Sequence, residues 1–263
     1  MADDRWVLTV TGLTHRGAVR PANEDAIGVD TWISPERMDE PVAITLPLDV
    51  PRMLLVADGM GGHAGGAYAS RATVEFILRH VGGITDRESL ADLLRQANGE
   101  LYDAMVREPS RAGMGSTVAG LLVAPPQCLA FNVGDSRVFV ERGGFLRQLS
   151  QDDAWPPSGG AFDPLEDRSG GVVTQAIGGR PSFVDIEPHV VEIPLMDAQR
   201  FVVCSDGLTE TLGLDELEAA LAIDDDRAIV QGWFETAMRA GARDNVSVLL
   251  VRVSQAAGPI ASS

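Results

Sequence analysis

The chain has 263 residues, 45% of them hydrophobic, which is enough for one large domain with a sizeable core. Its 38 acidic and 21 basic residues give a formal net charge of -17, and this balance argues against nucleic acid or an anionic membrane surface as a partner. Cations are the partners that such a balance favours.

The sequence contains no feature of an exported or membrane protein. Residues 1–4 lack the basic start of a signal peptide, and the longest apolar run, Val118–Ala124, is too short to span a bilayer. Cys128 and Cys204 lie in apolar contexts that favour buried, reduced thiols. We therefore expect a cytoplasmic monomer with one domain over residues 1–255 and a short tail over 256–263.

The first half of the chain begins with strands and continues with helices. Alternation predicts strands over 6–11 and 26–32, and the apolar run 54–57 predicts a buried strand. Helical spacing then predicts helices over 63–80 and 90–105, the second of them preceded by a capping box from Thr85 to Glu88.

The second half returns to strands. We predict strands over 115–123, 128–133 and 138–140, with a tight corner at 134–137 and a hairpin turn at Gly143 and Gly144. An irregular segment rich in proline and glycine follows over 151–171, then an extended stretch over 178–193 and a strand ending at Cys204. Helices over 215–221 and 226–240 precede a last strand over 246–253. This order favours an α+β sandwich over alternating βαβ units.

Three aspartates stand at the ends of predicted strands. Asp58 and Asp206 each follow an apolar run and precede a glycine, and Asp244 comes just before the last strand. Carboxylate oxygens are the ligands that Mg²⁺ and Mn²⁺ prefer, so the pattern predicts a metal site if the three strand ends meet. Taken singly, each acid is better explained by turn chemistry or a helix N-cap than by a metal site, so the prediction depends on the three together.

A loop between the first two strands carries Arg20, Glu24 and Asp25. An exposed arginine beside acids usually forms only a solvated ion pair, so this loop alone predicts no function.

Six short motifs follow one another along the chain: Arg20-Pro-Ala-Asn-Glu-Asp25, Asp58-Gly-Met-Gly-Gly-His63, Gly115-Ser-Thr117, Gly134-Asp-Ser-Arg137, Ser205-Asp-Gly207 and Asp244-Asn245. In this order they resemble the motifs of the metal-dependent protein phosphatases of the PP2C (PPM) class in their bacterial form. The resemblance runs nearly from end to end. It implies a four-layer αββα sandwich, in which two central antiparallel sheets are flanked by helix pairs and a metal cluster lies at one end of the sheets.

The resemblance also implies roles for individual residues. The implied roles are Asp58 as the carboxylate bridging two ions, Gly59 as a carbonyl ligand, Asp206 and Asp244 as further ligands, Asp25 as a ligand to metal-bound water, Asp135 as the ligand of a third ion, Arg20 as the phosphate-binding residue and His63 as the proton donor to the leaving oxygen. The implied cofactors are Mn²⁺ or Mg²⁺, with two core ions and a possible third.

The implied activity is hydrolysis of phosphoserine and phosphothreonine in proteins, which are the products of a Ser/Thr kinase, by a hydroxide shared between two metal ions. The alternative is an inactive scaffold of the same fold that binds phosphoproteins. Such a scaffold is expected to have lost metal-binding acids, whereas this chain keeps Asp58, Asp206 and Asp244.

Two other phosphate-binding classes are excluded by their own signatures. A Cys-dependent phosphatase needs arginine six positions after the cysteine, but residue 134 is Gly and residue 210 is Glu. A P-loop needs Lys followed by Ser or Thr, which does not follow the glycines at 59–66.

The chain departs from the PP2C pattern after the hairpin. Asp152 and Asp153 lead into Trp155 and two prolines in place of a helical flap, so we expect a mobile loop that selects substrates. Gly170 and Gly171 replace an Arg-Asn pair, and Arg168 is close enough in sequence to compensate.

Overall fold

The fold is described from a computed structural model that covers residues 6–155 and 172–255, without the side chains of His63 and Ala64. Numbered along the chain, the strands are β1 (Trp6–His15), β2 (Asp25–Val29), β3 (Trp32–Ile33), β4 (Val42–Pro47), β5 (Arg52–Met60), β6 (Gly115–Ser116), β7 (Val118–Ala124), β8 (Gln127–Val133), β9 (Arg137–Arg142), β10 (Phe145–Gln148), β11 (Ala154–Trp155), β12 (Val172–Val173), β13 (Ile177–Gly178), β14 (His189–Pro194), β15 (Gln199–Cys204) and β16 (Val246–Gln255). The α-helices are α1 (His63–Arg79), α2 (Arg87–Arg107), α3 (Asp206–Thr209), α4 (Leu214–Ala220) and α5 (Asp226–Arg239).

Two large antiparallel sheets form the centre of the molecule. One has the order β10-β9-β15-β16-β1-β4, and the other has the order β13-β6-β5-β7-β8-β14 with β2 and β3 attached to β5. A first apolar cluster packs α1 and α2 against the β5 sheet, a second fills the space between the sheets, and a third packs α4 and α5 against the β16 sheet. The predicted four-layer αββα sandwich is confirmed.

The central strands are apolar throughout because both of their faces are covered. In β5, Leu55 points toward the helices, whereas Leu54 and Val56 belong to the cluster between the sheets. Both leucines are fully buried, and each such burial stabilises the fold by about 1.5–3 kcal/mol. Alternation therefore assigns each strand residue to a defined layer, including the polar residues at the strand ends.

Most predicted elements are confirmed, and four local predictions need correction. Residues 26–32 form two strands, because Asp30 adopts a positive φ of 55° and turns the chain. The capping box of α2 starts one residue later than predicted, since Asp86 accepts from Ser89 N at 2.9 Å. The predicted strand 115–123 is divided at Thr117 into β6 and β7. The extended stretch 178–193 contains the end of β13 and most of β14.

The remaining outcomes concern the cysteines, the termini and the irregular segment. Both cysteines are buried and free, as predicted. No helix in the described ranges is long and apolar enough to cross a membrane. The predicted tail and most of the irregular segment, including Arg168, lie outside the described residues.

Candidate metal and phosphate site

The layer between the sheets changes from apolar to polar at one end of the molecule. In six strands, every second residue points into the layer between the sheets. At one end of each strand, the next residue in this alternation is polar, and these six polar residues lie close together. These residues are Asp25, Asp58, Thr117, Ser136, Ser205 and Ser247. Strand period and pairing thus bring together residues that are far apart in the sequence.

Asp25 and Asp58 are directly opposite each other on paired strands β2 and β5. Asp25 is 6% exposed, and its Oδ2 accepts a hydrogen bond from Ser205 Oγ at 2.9 Å. Its Oδ1 is buried and has no hydrogen-bond partner among the described residues. Burial raises the pKa of Asp25 to about 7, against the opposing effect of Ser247 and Ser205.

Asp58 lies near the end of β5, next to the start of the paired antiparallel strand β7. Its backbone N–H donates to Thr117 Oγ1 at 3.3 Å, and Thr117 Oγ1 also contacts Ser136 Oγ at 2.7 Å. Burial, followed by the charges of Asp25 and Asp206, raises the pKa of Asp58 well above its usual value. This carboxyl group is therefore costly to ionise unless a cation is supplied.

Gly59 continues β5 into the same cavity. A Cβ atom at this position would collide with the carbonyl oxygen of Gly66 and lie 2.6 Å from that of Glu24. Only glycine lets these three backbone segments approach so closely.

Asp206 is the first residue of α3, directly after β15. Its Oδ1 is buried without a hydrogen-bond partner in the described part of the chain. Burial and the charge of Asp244 raise its pKa, whereas a hydrogen bond from the Asp58 carboxyl opposes this rise. Gly207 allows close approach to Asn245, because a Cβ there would collide with the Asn245 carbonyl oxygen.

Asp244 precedes β16 and lies within reach of Arg20. Arg20 Nη2 donates to Asp244 Oδ2 at 2.6 Å, and the two side chains are 55% and 28% exposed. Arg20 therefore pairs with a predicted metal ligand. The contact brings the loop of Arg20 to the acidic centre.

Asp135 lies in the turn between β8 and β9. It is 7% exposed, and burial together with the charge of Asp206 raises its pKa to about 7. The turn depends on Gly134, which has a φ of 101° and no room for a side chain because Thr117 lies 2.7 Å from the position of its Cβ.

A cavity of about 480 Å³ collects most of these side chains. Its lining includes Arg20, Asp58, Gly59, Asp135, Asp206 and Asp244. Asp25 lies behind the cavity, against Asp58. The predicted site residues that the structure describes therefore meet at one end of the two sheets, while the side chain of His63 lies outside the described residues.

Two further residues support the site and were not singled out for a role from the sequence. Asn245 donates from Nδ2 to Ala22 O at 3.0 Å and accepts at Oδ1 from Glu24 N at 2.8 Å, so it fastens the Arg20 loop to β16. Glu210, one turn after Asp206, has its pKa raised to about 7 by burial and by the charges of Asp206, Asp244 and Asp135. The Asp-Asn dipeptide signals Asn245, whereas nothing local signals Glu210.

The donor set fits a hard divalent cation. Several carboxyl groups share one small region, and buried oxygen atoms of Asp25 and Asp206 have no hydrogen-bond partner there among the described residues. As the side chains stand, no group of three or more His, Cys, Asp or Glu in these ranges is arranged to hold one ion. In this arrangement Asp58 is hydrogen-bonded to Asp206, and Asp244 to Arg20.

The sandwich and its acidic end define the class of protein. The family described as protein phosphatase 2C matches residues 48–250, which is most of the chain. The chain belongs to the protein phosphatase 2C family.

Relatives and solved structures agree with this assignment. Serine/threonine protein phosphatase PstP of Mycobacterium tuberculosis is 28% identical over 266 residues, which cover 96% of this chain and 46% of PstP. The chain thus spans about half the length of that relative. Serine/threonine phosphatase stp of Listeria monocytogenes is 28% identical over 252 residues, covering 90% of this chain and 93% of stp.

The fold of PstP is also similar. A crystal structure of PstP superposes with a TM-score of 0.75 at 28% identity, covering 95% of this chain and all (100%) of that structure. A second structure, the PstP catalytic domain in complex with 2 manganese ions, gives a TM-score of 0.73 at 26% identity, covering 95% of this chain and 100% of that one.

Proposed function

We propose that this chain is a phosphatase that depends on a divalent metal, Mn²⁺ or Mg²⁺, and removes phosphate from phosphoserine and phosphothreonine in proteins. The observation that carries the proposal is the convergence of Asp58, Asp206 and Asp244 on one cavity beside an exposed arginine. The expected substrates are the products of a Ser/Thr kinase.

When bound, two divalent ions lower the pKa of a water molecule and neutralise charge on the phosphoryl group. Asp58 is the residue suited to bridge both ions, because it lies among the other acids on the cavity wall. If ions bind, Asp206 and Asp244 would each supply one ion with a carboxylate, the Gly59 carbonyl would be a further ligand, and Asp25 would hold a metal-bound water from behind. Asp135 is suited to a third ion.

Arg20 is the residue proposed to hold the phosphate. Its guanidinium group is more than half exposed at the cavity, at 55%, and a planar guanidinium suits bidentate contact with phosphate oxygens. If Asp244 served as a metal ligand, its carboxylate would no longer be held by Arg20 alone, and the guanidinium would be available to the substrate. His63, at the start of α1, stays a prediction as the proton donor to the leaving oxygen.

The direct test is release of phosphate from a phosphothreonine peptide with Mn²⁺ and with excess chelator. The wild-type chain is expected to release phosphate only with Mn²⁺, and Asp58→Asn is expected to release none. Asp103→Asn is the matched control, because it makes the same chemical change on an exposed position of α2. Tight peptide binding without turnover by the wild type would favour the inactive scaffold and contradict the proposal.

A further inference from the structure

A second cavity adjoins the acidic one. It has a volume of about 310 Å³, and two of its lining residues, Met60 and Val173, also line the acidic cavity. Its other walls come from residues 172–180 and 184–186. We call this second cavity the adjoining groove. It offers a continuous path from the acidic centre across the surface.

The walls of the adjoining groove are held by buried polar side chains of α2. Asn98 is 1% exposed; its Oδ1 accepts from Gly178 N at 2.7 Å, and its Nδ2 donates to Val184 O at 2.9 Å. Tyr102 donates to Gly178 O at 3.1 Å. One asparagine thus connects both walls, so that the groove is formed before any ligand binds.

A second connection lies nearby. Gln175 accepts from Glu187 N at 2.6 Å and donates to Glu187 O at 3.0 Å, which links the two walls again. These bonds satisfy the backbone internally and leave the side chains along the groove to face outward.

The lining of the adjoining groove contains exposed apolar side chains and one residue of each charge, Arg180 and Asp185, both of them exposed. Val172 and Val184 are 55% and 51% exposed, and Phe183, beside them, is 57% exposed. Arg180 is exposed and makes no ion pair with a described residue, unlike Arg20, which is bonded to Asp244. Arg180 is the one basic residue of this lining and forms no ion pair with a described residue, Asp185 included, so in a chain with a net charge of -17 it favours contact with an acidic side chain of a ligand.

We propose that the adjoining groove binds the polypeptide segment next to the phosphorylated residue, and that Arg180 contacts an acidic side chain of that segment. This inference rests on the proposed function, because the phosphorylated residue must sit in the acidic cavity for its neighbours to reach the groove. It assigns a substrate preference: phosphoproteins with an acidic residue beside the phosphorylation site.

The test is a charge exchange measured as binding, so that turnover does not enter. Fluorescein-labelled peptides that carry a non-hydrolysable phosphonate in place of the phosphate, flanked by Asp, Ala or Arg, are titrated in Mn²⁺ with the wild type and with Arg180→Glu. Arg180→Glu is expected to lower the affinity for the Asp-flanked peptide about fivefold, which is the upper range for one exposed ion pair. It is expected to raise the affinity for the Arg-flanked peptide. The Ala-flanked peptide is expected to change less than twofold.

The matched control is Arg87→Glu, the same charge reversal at an exposed position at the start of α2 and outside both cavities. It is expected to leave the three affinities within twofold. Equal affinity of Arg180→Glu for all three peptides, or the same shift in Arg87→Glu, would overturn the proposal. Phosphate release by the wild type is measured separately. If no phosphate is released, the proposed function is rejected, whereas the peptide affinities still show whether the adjoining groove binds the flanking residues.

Discussion

Two kinds of acidic residue lie close together in this molecule and differ in how fully their carboxyl oxygens are hydrogen-bonded. Asp153 accepts hydrogen bonds at Oδ2 from Gly134 N and Gln175 Nε2, both at 2.9 Å, and its Oδ1 lies 2.8 Å from His189 Nε2. Asp25 and Asp206, in contrast, each keep one buried oxygen without a hydrogen-bond partner among the described residues.

The difference separates a structural acid from acids suited to ligand binding. Asp153 is only 12% exposed, yet donors surround it, so its carboxylate is stable without a cation. Burial raises the pKa of Asp25, Asp58 and Asp206, because the fold supplies too few donors for them. Such uncompensated acids reduce stability and are retained where they have a function.

The largest expected effect is that of Asp58→Asn on turnover. A neutral amide offers one oxygen and cannot bridge two cations as a carboxylate does, so phosphate release should fall by at least about a thousandfold. The measurement is the initial rate on a phosphothreonine peptide in Mn²⁺. Activity within tenfold of the wild type would contradict the bridging role.

The same substitution should not destabilise the metal-free protein. Because the folded pKa of Asp58 is raised, the stability associated with this group is present below its unfolded pKa and is lost as the pH rises through the folded value. At pH 7.5 a neutral Asn therefore removes an unfavourable term, and the melting temperature in chelator should stay equal or rise. A clear fall in melting temperature would identify Asp58 as a structural acid.

The next largest effect is expected for Asp153, the acid whose hydrogen bonds are satisfied, and it concerns stability. Asp153→Asn replaces an acceptor with a group that is partly a donor, facing three donors, and should cost about 2 kcal/mol of unfolding free energy. Urea unfolding in chelator measures this loss, with Asp103→Asn as the control. An unchanged midpoint would show that the Asp153 network contributes nothing to stability.

Asp135→Ala should have a smaller effect, on turnover alone. Asp135 is proposed to serve a third ion only, so turnover should fall about tenfold while the fold and the main Mn²⁺ sites persist. Steady-state kinetics and circular dichroism check both parts. Loss of the tight Mn²⁺ sites in this variant would place Asp135 among the core ligands instead.

Arg20→Ala should have the smallest effect, on substrate binding. If Arg20 holds the phosphate before reaction, the KM for a phosphopeptide should rise about fivefold while kcat changes less. Arg137→Ala is the useful comparison, because Arg137 makes hydrogen bonds to Asp152 from Nε and Nη2 at 2.9 and 2.6 Å and is expected to affect stability first. Unchanged kinetic constants in Arg20→Ala would mean that its contact with Asp244 is only a surface ion pair.

The sequence predicts the layers and the strand-end acids because both follow from local periodicity. A strand such as β5 is recognised by its unbroken apolar run, and the residue that follows the run, Asp58, must lie at the polar end of the layer. That Asp58, Asp206 and Asp244 lie together depends on the tertiary structure, and it is predicted from the resemblance of the ordered motifs to the family.

Other features depend on contacts that local patterns do not contain. The raised pKa of Glu210 results from burial and from the charges of Asp206, Asp244 and Asp135. The hydrogen bonds of Asp153 come from Gly134, Gln175 and His189. The short strands β11 and β12 pair across a segment of unusual composition, so propensity alone did not predict them. Sequence patterns thus locate the acids but do not tell which of them have their hydrogen bonds satisfied.

The most direct test of the central claim is calorimetric titration of the metal-free chain with Mn²⁺. If the uncompensated acids are metal ligands, the wild type and Asp103→Asn should bind at least two Mn²⁺ ions per chain, while Asp58→Asn loses tight binding and Asp153→Asn, where it remains folded, retains it. Equal Mn²⁺ binding by wild type and Asp58→Asn, or no binding by either, would contradict the account.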